Sequence, residues 1–69
     1  MNYRELTRKL RRLGCEFDRR ARGDHEIWIN NSTHARTTIP NWGSQDLRPG
    51  TISAVLRDLG ISREEFERI

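Results

Sequence analysis

The sequence contains little of what anchors or cross-links many small proteins. Its only cysteine is Cys15, so no disulfide can form within the chain. The cysteine and the two histidines do not have the paired spacing of a zinc site. No apolar run approaches the roughly 18 residues of a membrane span, and the first residues, MNYRELTRKL, include no apolar signal-peptide core. We therefore expect a cytoplasmic protein without a metal, a cofactor or a membrane partner.

Length and charge give the next constraints. The 69 residues predict one domain, 1–69. Residues 1–22 carry eight lysine or arginine side chains and three acidic ones, whereas residues 23–69 carry five basic and seven acidic side chains. A basic first third concentrates positive potential where a polyanion such as nucleic acid could bind. Arginines that merely solvate a helix face would give the same composition, so charge alone leaves both interpretations open.

Two segments show the apolar periodicity of helices. In residues 2–14, Asn2 and Glu5 have the spacing of a capping box, and Gly14 supplies a left-handed stop. In residues 49–60, Pro49 suits the first turn and Gly60 the end. A capping box at residues 62–65 predicts a short final helix. The two main helices have apolar stripes made of Tyr3, Leu6, Leu10 and Leu13 in the first, and of Ile52, Val55, Leu56 and Leu59 in the second.

Three strands are predicted between these helices, at residues 15–22, 25–30 and 35–40. Alternation places Phe17 and Arg19 on one face of the first strand. In the second strand it predicts that Ile27 and Ile29 share the face covered by helices, and that Trp28 lies on the open face. The order predicts an α+β fold, α-β-β-β-α, with a three-stranded antiparallel sheet, two helices on one face and a short terminal helix.

His25 is the residue best suited to chemistry. It follows a tight turn at Gly23 and Asp24, and imidazole titrates near neutrality, which suits general acid–base catalysis. A solvated turn histidine would give the same local pattern. His34 is interpreted as a surface turn residue, Trp42 as a lid over the core and Cys15 as a small buried residue.

Several segments together resemble one family. They are Leu13–Gly14 at the end of the first helix, GDHEIW at 23–28, TTIP at 37–40, LRPGTI at 47–52 and VLRDLGIS at 55–62. In this order they resemble the HicA (YcfA-like) toxins of bacterial toxin–antitoxin pairs over nearly the whole chain. The resemblance implies a fold like that of double-stranded-RNA-binding domains and a metal-independent ribonuclease that cleaves mRNA. It also implies a HicB-type antitoxin that covers the active site.

The resemblance assigns roles to particular residues. The family's catalytic histidine falls on His25 and its preceding glycine on Gly23. Asp24 stands where the family commonly has Ser or Thr, and Trp42 stands where a second histidine is often found. In RNA the 2′-hydroxyl is the nucleophile, so His25 would act as the base and arginines would neutralise the phosphate. The expected RNA-binding residues are Arg19, Arg20, Arg22, Arg48 and Trp28. With one histidine for two proton transfers, we expect a slow enzyme that acts on mRNA and does not bind DNA by itself.

Two other functions fit the same residues. A non-catalytic RNA-binding module would use the basic first helix and need no role for His25. A protein-interaction module would use the open sheet face, with Trp28 filling a pocket of the partner. Negligible affinity for RNA at low salt would favour the protein-interaction module, because phosphate-driven binding is strongest there.

Overall fold

The computed structural model describes residues 1–69 and packs three helices against a three-stranded antiparallel sheet. Along the chain the elements are α1 (Tyr3–Arg12), β1 (Cys15–Arg20), β2 (His25–Asn30), β3 (Arg36–Pro40), α2 (Pro49–Leu59) and α3 (Arg63–Glu67). β2 is the central strand and pairs with both β1 and β3. The predicted α+β class and element order are confirmed.

The helix ends follow the local signals of the sequence. The Asn2 side chain accepts the N–H of Glu5, and the Glu5 carboxylate accepts the N–H of Asn2, each at 2.9 Å. Ser62 and Glu65 form the same reciprocal pair at the start of α3. Gly60 ends α2 with a φ of 72°, a left-handed conformation that glycine adopts without steric cost. The caps are therefore determined within a few residues of each helix end.

The core lies between the helices and one face of the sheet. It contains twelve buried apolar residues from all three helices, all three strands and the segments before and after α2: Leu6, Leu10, Cys15, Trp28, Ile39, Leu47, Ile52, Val55, Leu56, Leu59, Ile61 and Phe66. Both predicted helix stripes face this core. The opposite face of the sheet, called the open face below, has no helix against it.

The predicted orientation of Trp28 is wrong. Its side chain is 0 % exposed, while Ile27 and Ile29 are half-buried and lie on the open face. Trp28 pairs with Thr37, which shares its face with the buried Ile39. The inward indole meets the Tyr3 ring edge-on, with the ring centroids 6.4 Å apart, and its N–H donates to the Glu26 carboxylate, and both contacts stabilise this orientation. Trp28 therefore offers no surface on which an RNA base could stack.

A β-bulge changes the predicted alternation in β1. The pairing register shifts between Phe17, which lies opposite Trp28, and Arg19, which lies opposite Ile27. The extra residue, Asp18, reverses the faces of the residues after it, as a bulge does. Phe17 and Arg19 consequently lie on different faces, not on the same face as the alternation predicted, and Arg19 reaches the open face.

Candidate functional site

His25 begins β2 and lies at one end of the open face. Its backbone N–H donates to the carbonyl of Arg22 at 3.1 Å, and its carbonyl accepts the N–H of Ala21 at 2.9 Å. Gly23 has a φ of 63°, in the left-handed region that favours glycine, and this allows the tight turn before the strand. His25 pairs with Pro40 and has the same strand parity as Ile27, so its side chain projects from the open face.

The imidazole of His25 is exposed to solvent and has few side-chain contacts. Its side chain is 52 % exposed, and its Nε2 lies 3.8 Å from Oδ1 of Asp24. That separation is too long for a hydrogen bond, but it is a charge contact when the ring is protonated. No side-chain hydrogen bond occupies either ring nitrogen. His25 can therefore exchange a proton with a group bound on the open face.

The four arginines predicted to bind RNA lie in different environments. Arg19 is on the open face, where its Nη1 contacts the Asp18 carboxylate at 2.6 Å. Arg36, which the sequence analysis did not select, is also on the open face and contacts the same carboxylate through Nε at 3.0 Å. Arg36 has the same strand parity as Thr38, which was predicted to lie on the open face, so the alternation along β3 could have identified it. In the β1–β2 register Arg20 lies opposite Glu26, which places it on the helix-covered face, and its guanidinium forms no ion pair.

Arg22 and Arg48 form no ion pair, so their charges are available to a ligand. Arg22 is exposed in the turn directly before His25. The Arg48 guanidinium lies over the Trp42 ring, 5.9 Å from its centroid, in the loop between β3 and α2. Trp42 itself packs against the core, as predicted for a lid. This loop begins at the same end of the sheet as His25, since Pro40 is the pairing partner of His25.

A buried carboxylate, Glu26, follows His25 in β2 and lies on the helix-covered face, and no local sequence pattern indicated its role. Its residue is 5 % exposed. Oε1 accepts hydrogen bonds from the Tyr3 hydroxyl at 2.5 Å and from Nε1 of Trp28 at 3.2 Å, and Oε2 accepts one from Nδ2 of Asn41 at 3.2 Å. Glu26 and Trp28 are two residues apart in β2, so their side chains lie on the same face of the sheet. When Trp28 faces the helices, Glu26 must face them too.

These contacts change the acidity of both partners. Burial opposes the charged form of Glu26, but the hydrogen bonds from Tyr3, Trp28 and Asn41 and the charge of Arg20 outweigh it, so the pKa of Glu26 lies below its ordinary value. For Tyr3, burial and then the hydrogen bond to Glu26 raise the pKa to about 12. At neutral pH the pair is therefore a carboxylate and a neutral phenol.

The remaining candidates lie elsewhere. Cys15 is buried as predicted, and burial followed by the charge of Glu65 raises the pKa of its thiol, which keeps it protonated. His34 is exposed in the β2–β3 turn with a φ of 66°. No group of three His, Cys, Asp or Glu side chains is arranged as metal ligands. None of the helices has the length and apolar character needed to span a membrane.

Comparison with protein families identifies a relationship for most of the chain. The model of a family described as HicA toxin of bacterial toxin–antitoxin matches residues 3–61. The matched segment runs from the start of α1 to just beyond α2 and includes the whole sheet with His25. No curated protein and no solved structure matches the chain.

Proposed function

Because the chain belongs to the HicA toxin family of bacterial toxin–antitoxin systems, we propose that this toxin is a metal-independent endoribonuclease that cleaves mRNA. The observation that carries the proposal is the exposed imidazole of His25 directly after a turn that contains the exposed Arg22, which forms no ion pair. A site for RNA cleavage needs a proton acceptor and positive charge within reach of the same phosphodiester. His25 supplies the first, and the neighbouring Arg22 supplies the second.

His25 acts as the general base in this proposal. RNA contains its own nucleophile: once its proton is removed, the 2′-hydroxyl bonds to the adjacent phosphorus, the bond from phosphorus to the 5′-oxygen of the next nucleotide breaks, and that oxygen accepts a proton. Positioned acid–base catalysis of this kind contributes about 10² to 10⁴ in rate. Arg22 and Arg48, which are free of carboxylate partners, neutralise the charge that develops on the phosphate oxygens.

One histidine serves both proton transfers. His34 lies in the turn at the far end of β2, and a six-residue strand separates the two imidazoles. Such a strand is about 20 Å long, since each residue rises about 3.3 Å. His34 therefore cannot protonate a leaving group held at His25. This supports a slow enzyme whose turnover is limited by the second proton transfer.

A HicB-type antitoxin is the proposed inhibitor. The half-buried Ile27 and Ile29 give the open face an apolar strip in the same strand as His25. A protein that covers this strip would also cover the imidazole and exclude RNA. The partner would at the same time bury apolar side chains that the isolated chain leaves half in water, and we expect it to raise the melting temperature.

The direct test compares His25→Ala with His34→Ala on a structured mRNA in the presence of a metal chelator. We expect the H25A protein to bind the RNA with an affinity like that of the wild type but to lose cleavage by at least a hundredfold. The H34A protein, in which an exposed turn histidine is removed, should cleave normally. Wild-type cleavage by H25A would refute the assignment of His25.

The alternative is a non-catalytic RNA-binding module with the same fold. The contact between Asp24 and His25 favours it, because an anion 3.8 Å from the imidazole also repels the phosphate that must approach it. In that case the wild type and H25A would bind RNA equally well and neither would cleave it.

A further inference from the structure

Asn41 connects the buried Glu26 to the turn that precedes His25. Its side-chain Nδ2 donates to Oε2 of Glu26 at 3.2 Å, and its Oδ1 accepts the N–H of Gly43 at 3.1 Å. Its backbone N–H donates to the carbonyl of Asp24 at 2.8 Å. One residue thus joins the helix-covered face of β2, the loop after β3 and the turn before β2.

We propose that Glu26 is a positioning residue for the His25 site, acting through Asn41 to hold the Asp24 turn and the loop after β3 in a fixed relation. The side chains of Glu26 and His25 project from opposite faces of the sheet, so Glu26 cannot touch RNA bound on the open face. Its influence passes through the three hydrogen bonds of Asn41. The inference rests on the proposed function only in naming the positioned group as the base of a ribonuclease.

The chemistry of a carboxylate explains why glutamate fits this position. An ionised carboxylate only accepts hydrogen bonds, and its three side-chain neighbours, a phenol, an indole and an amide, all donate. The carboxylate therefore forces Asn41 to turn its NH₂ group inward and its oxygen toward the N–H of Gly43. Gly43 has a φ of 62°, a left-handed conformation that glycine adopts freely, and the Asn41 side chain accepts its N–H at this turn of the loop.

The variant Glu26→Gln disturbs this arrangement selectively. If the glutamine oxygen keeps the Tyr3 and Trp28 hydrogen bonds, its NH₂ group faces the NH₂ group of Asn41, and two donors meet. If Asn41 rotates to accept that bond, its NH₂ group then faces the N–H of Gly43. Either outcome loosens the loop or the turn, although the side chain keeps its size and shape.

A reciprocal exchange restores the pattern. In the double variant E26Q/N41D, the glutamine NH₂ donates to one oxygen of the aspartate while the other oxygen accepts the N–H of Gly43. The glutamine oxygen still accepts from Tyr3 and Trp28, and the net charge is unchanged. Tyr3→Phe is the matched control, because it removes a hydrogen bond from the same carboxylate on the α1 side and leaves Asn41 in place.

Two measurements separate positioning from stability. The first is cleavage of RNA, analysed as kcat and KM. The second is hydrogen exchange of the backbone amide of residue 41, whose N–H binds the Asp24 carbonyl. We expect E26Q to lower kcat tenfold to a hundredfold, the range that a small misplacement of catalytic groups causes, with KM within twofold. We also expect exchange at residue 41 to be at least tenfold faster.

The double variant should recover both quantities, and Y3F should retain both even where it lowers the melting temperature. Normal kcat and normal exchange in E26Q would overturn the proposal, as would a folded E26Q/N41D that recovers neither. A wild-type protein that cleaves no RNA would refute the proposed ribonuclease alone. The exchange measurement would then still decide whether Glu26 holds the turn.

Discussion

The indole N–H of Trp28 and the carboxylate of Glu26 form a hydrogen bond of 3.2 Å on the helix-covered side of β2. The two residues are neighbours on one face of the strand, so the largest apolar side chain of the sheet and its buried anion are placed in the core together. The Arg11 guanidinium covers the same indole, 5.1 Å from the ring. This pair determines which side of the sheet remains available to a ligand.

Replacing Trp28 by Phe tests the buried role of the indole. The change keeps an aromatic ring but leaves Glu26 with one donor fewer, and hydrogen bonds to charged groups contribute about 1.5 to 3 kcal/mol. We expect the free energy of unfolding, measured in urea, to fall by about that amount. RNA affinity should stay unchanged, since the indole has no exposed surface. A selective loss of RNA affinity without loss of stability would contradict the burial.

The hydroxyl of Tyr3 predicts a sensitivity to alkaline pH. Because burial and the bond to Glu26 raise the pKa of Tyr3 to about 12 from an ordinary value of 10.0, folding favours the protonated phenol. This contribution is complete below pH 10 and is lost as the pH rises from there through about 12. Urea unfolding over that range should show a steeper loss of stability in the wild type than in Tyr3→Phe. Parallel curves would contradict the prediction.

Arg22 and Arg48 should provide separate phosphate contacts. Neither forms an ion pair, so replacing either by Gln removes a positive charge and leaves no carboxylate unpaired. We expect each variant to weaken RNA binding and to reduce the slope of log K against log salt by about 0.7 to 1. The matched control is Arg68→Gln in the segment after α3, where the guanidinium pairs with Glu64 at 3.8 Å. A control that lowers the slope equally would show that only net charge matters.

Asp24→Ser should strengthen RNA binding. The carboxylate lies 3.8 Å from Nε2 of His25, where it repels an approaching phosphate. Removing it should raise RNA affinity a few-fold at low salt, and the gain should shrink as salt is added. Titration with a short RNA at two salt concentrations measures the effect. Weaker RNA binding by D24S would contradict this prediction, because it would mean that Asp24 contacts the RNA favourably.

The position of His25 could be predicted because its determinants are local. The turn at Gly23 needs a positive φ, and the strand that follows is rich in β-branched and aromatic residues. The exposure of Arg22 follows from the same turn. Glu26 and Asn41 could not be placed, since their contacts join residues that are 15 and 23 positions apart, and Arg36 lies on the open face only through the pairing of β3 with β2.

The sequence by itself determined the order of the elements and the ends of the helices, whereas β1 ends at Arg20 and not at residue 22 as predicted. Capping side chains, the prolyl residue at the start of α2 and the glycine after it act within one or two turns, so their effect is independent of the rest of the chain. Only the tertiary structure decided which face of β2 meets the helices. Two isoleucines favour one face and Trp28 favours the other, and alternation along a strand is equally satisfied by both.

The orientation of β2 depends on packing and hydrogen bonds between residues that are far apart in the chain. The inward Trp28 brings Glu26 with it, and the Tyr3 hydroxyl from α1 and the Asn41 amide from the loop after β3 satisfy the buried carboxylate. The bulge at Asp18 then directs Arg19 to the other side. The face that carries His25 is open because the helices cover the tryptophan, and the physical reason is that the inward indole and carboxylate have their hydrogen bonds satisfied inside the protein.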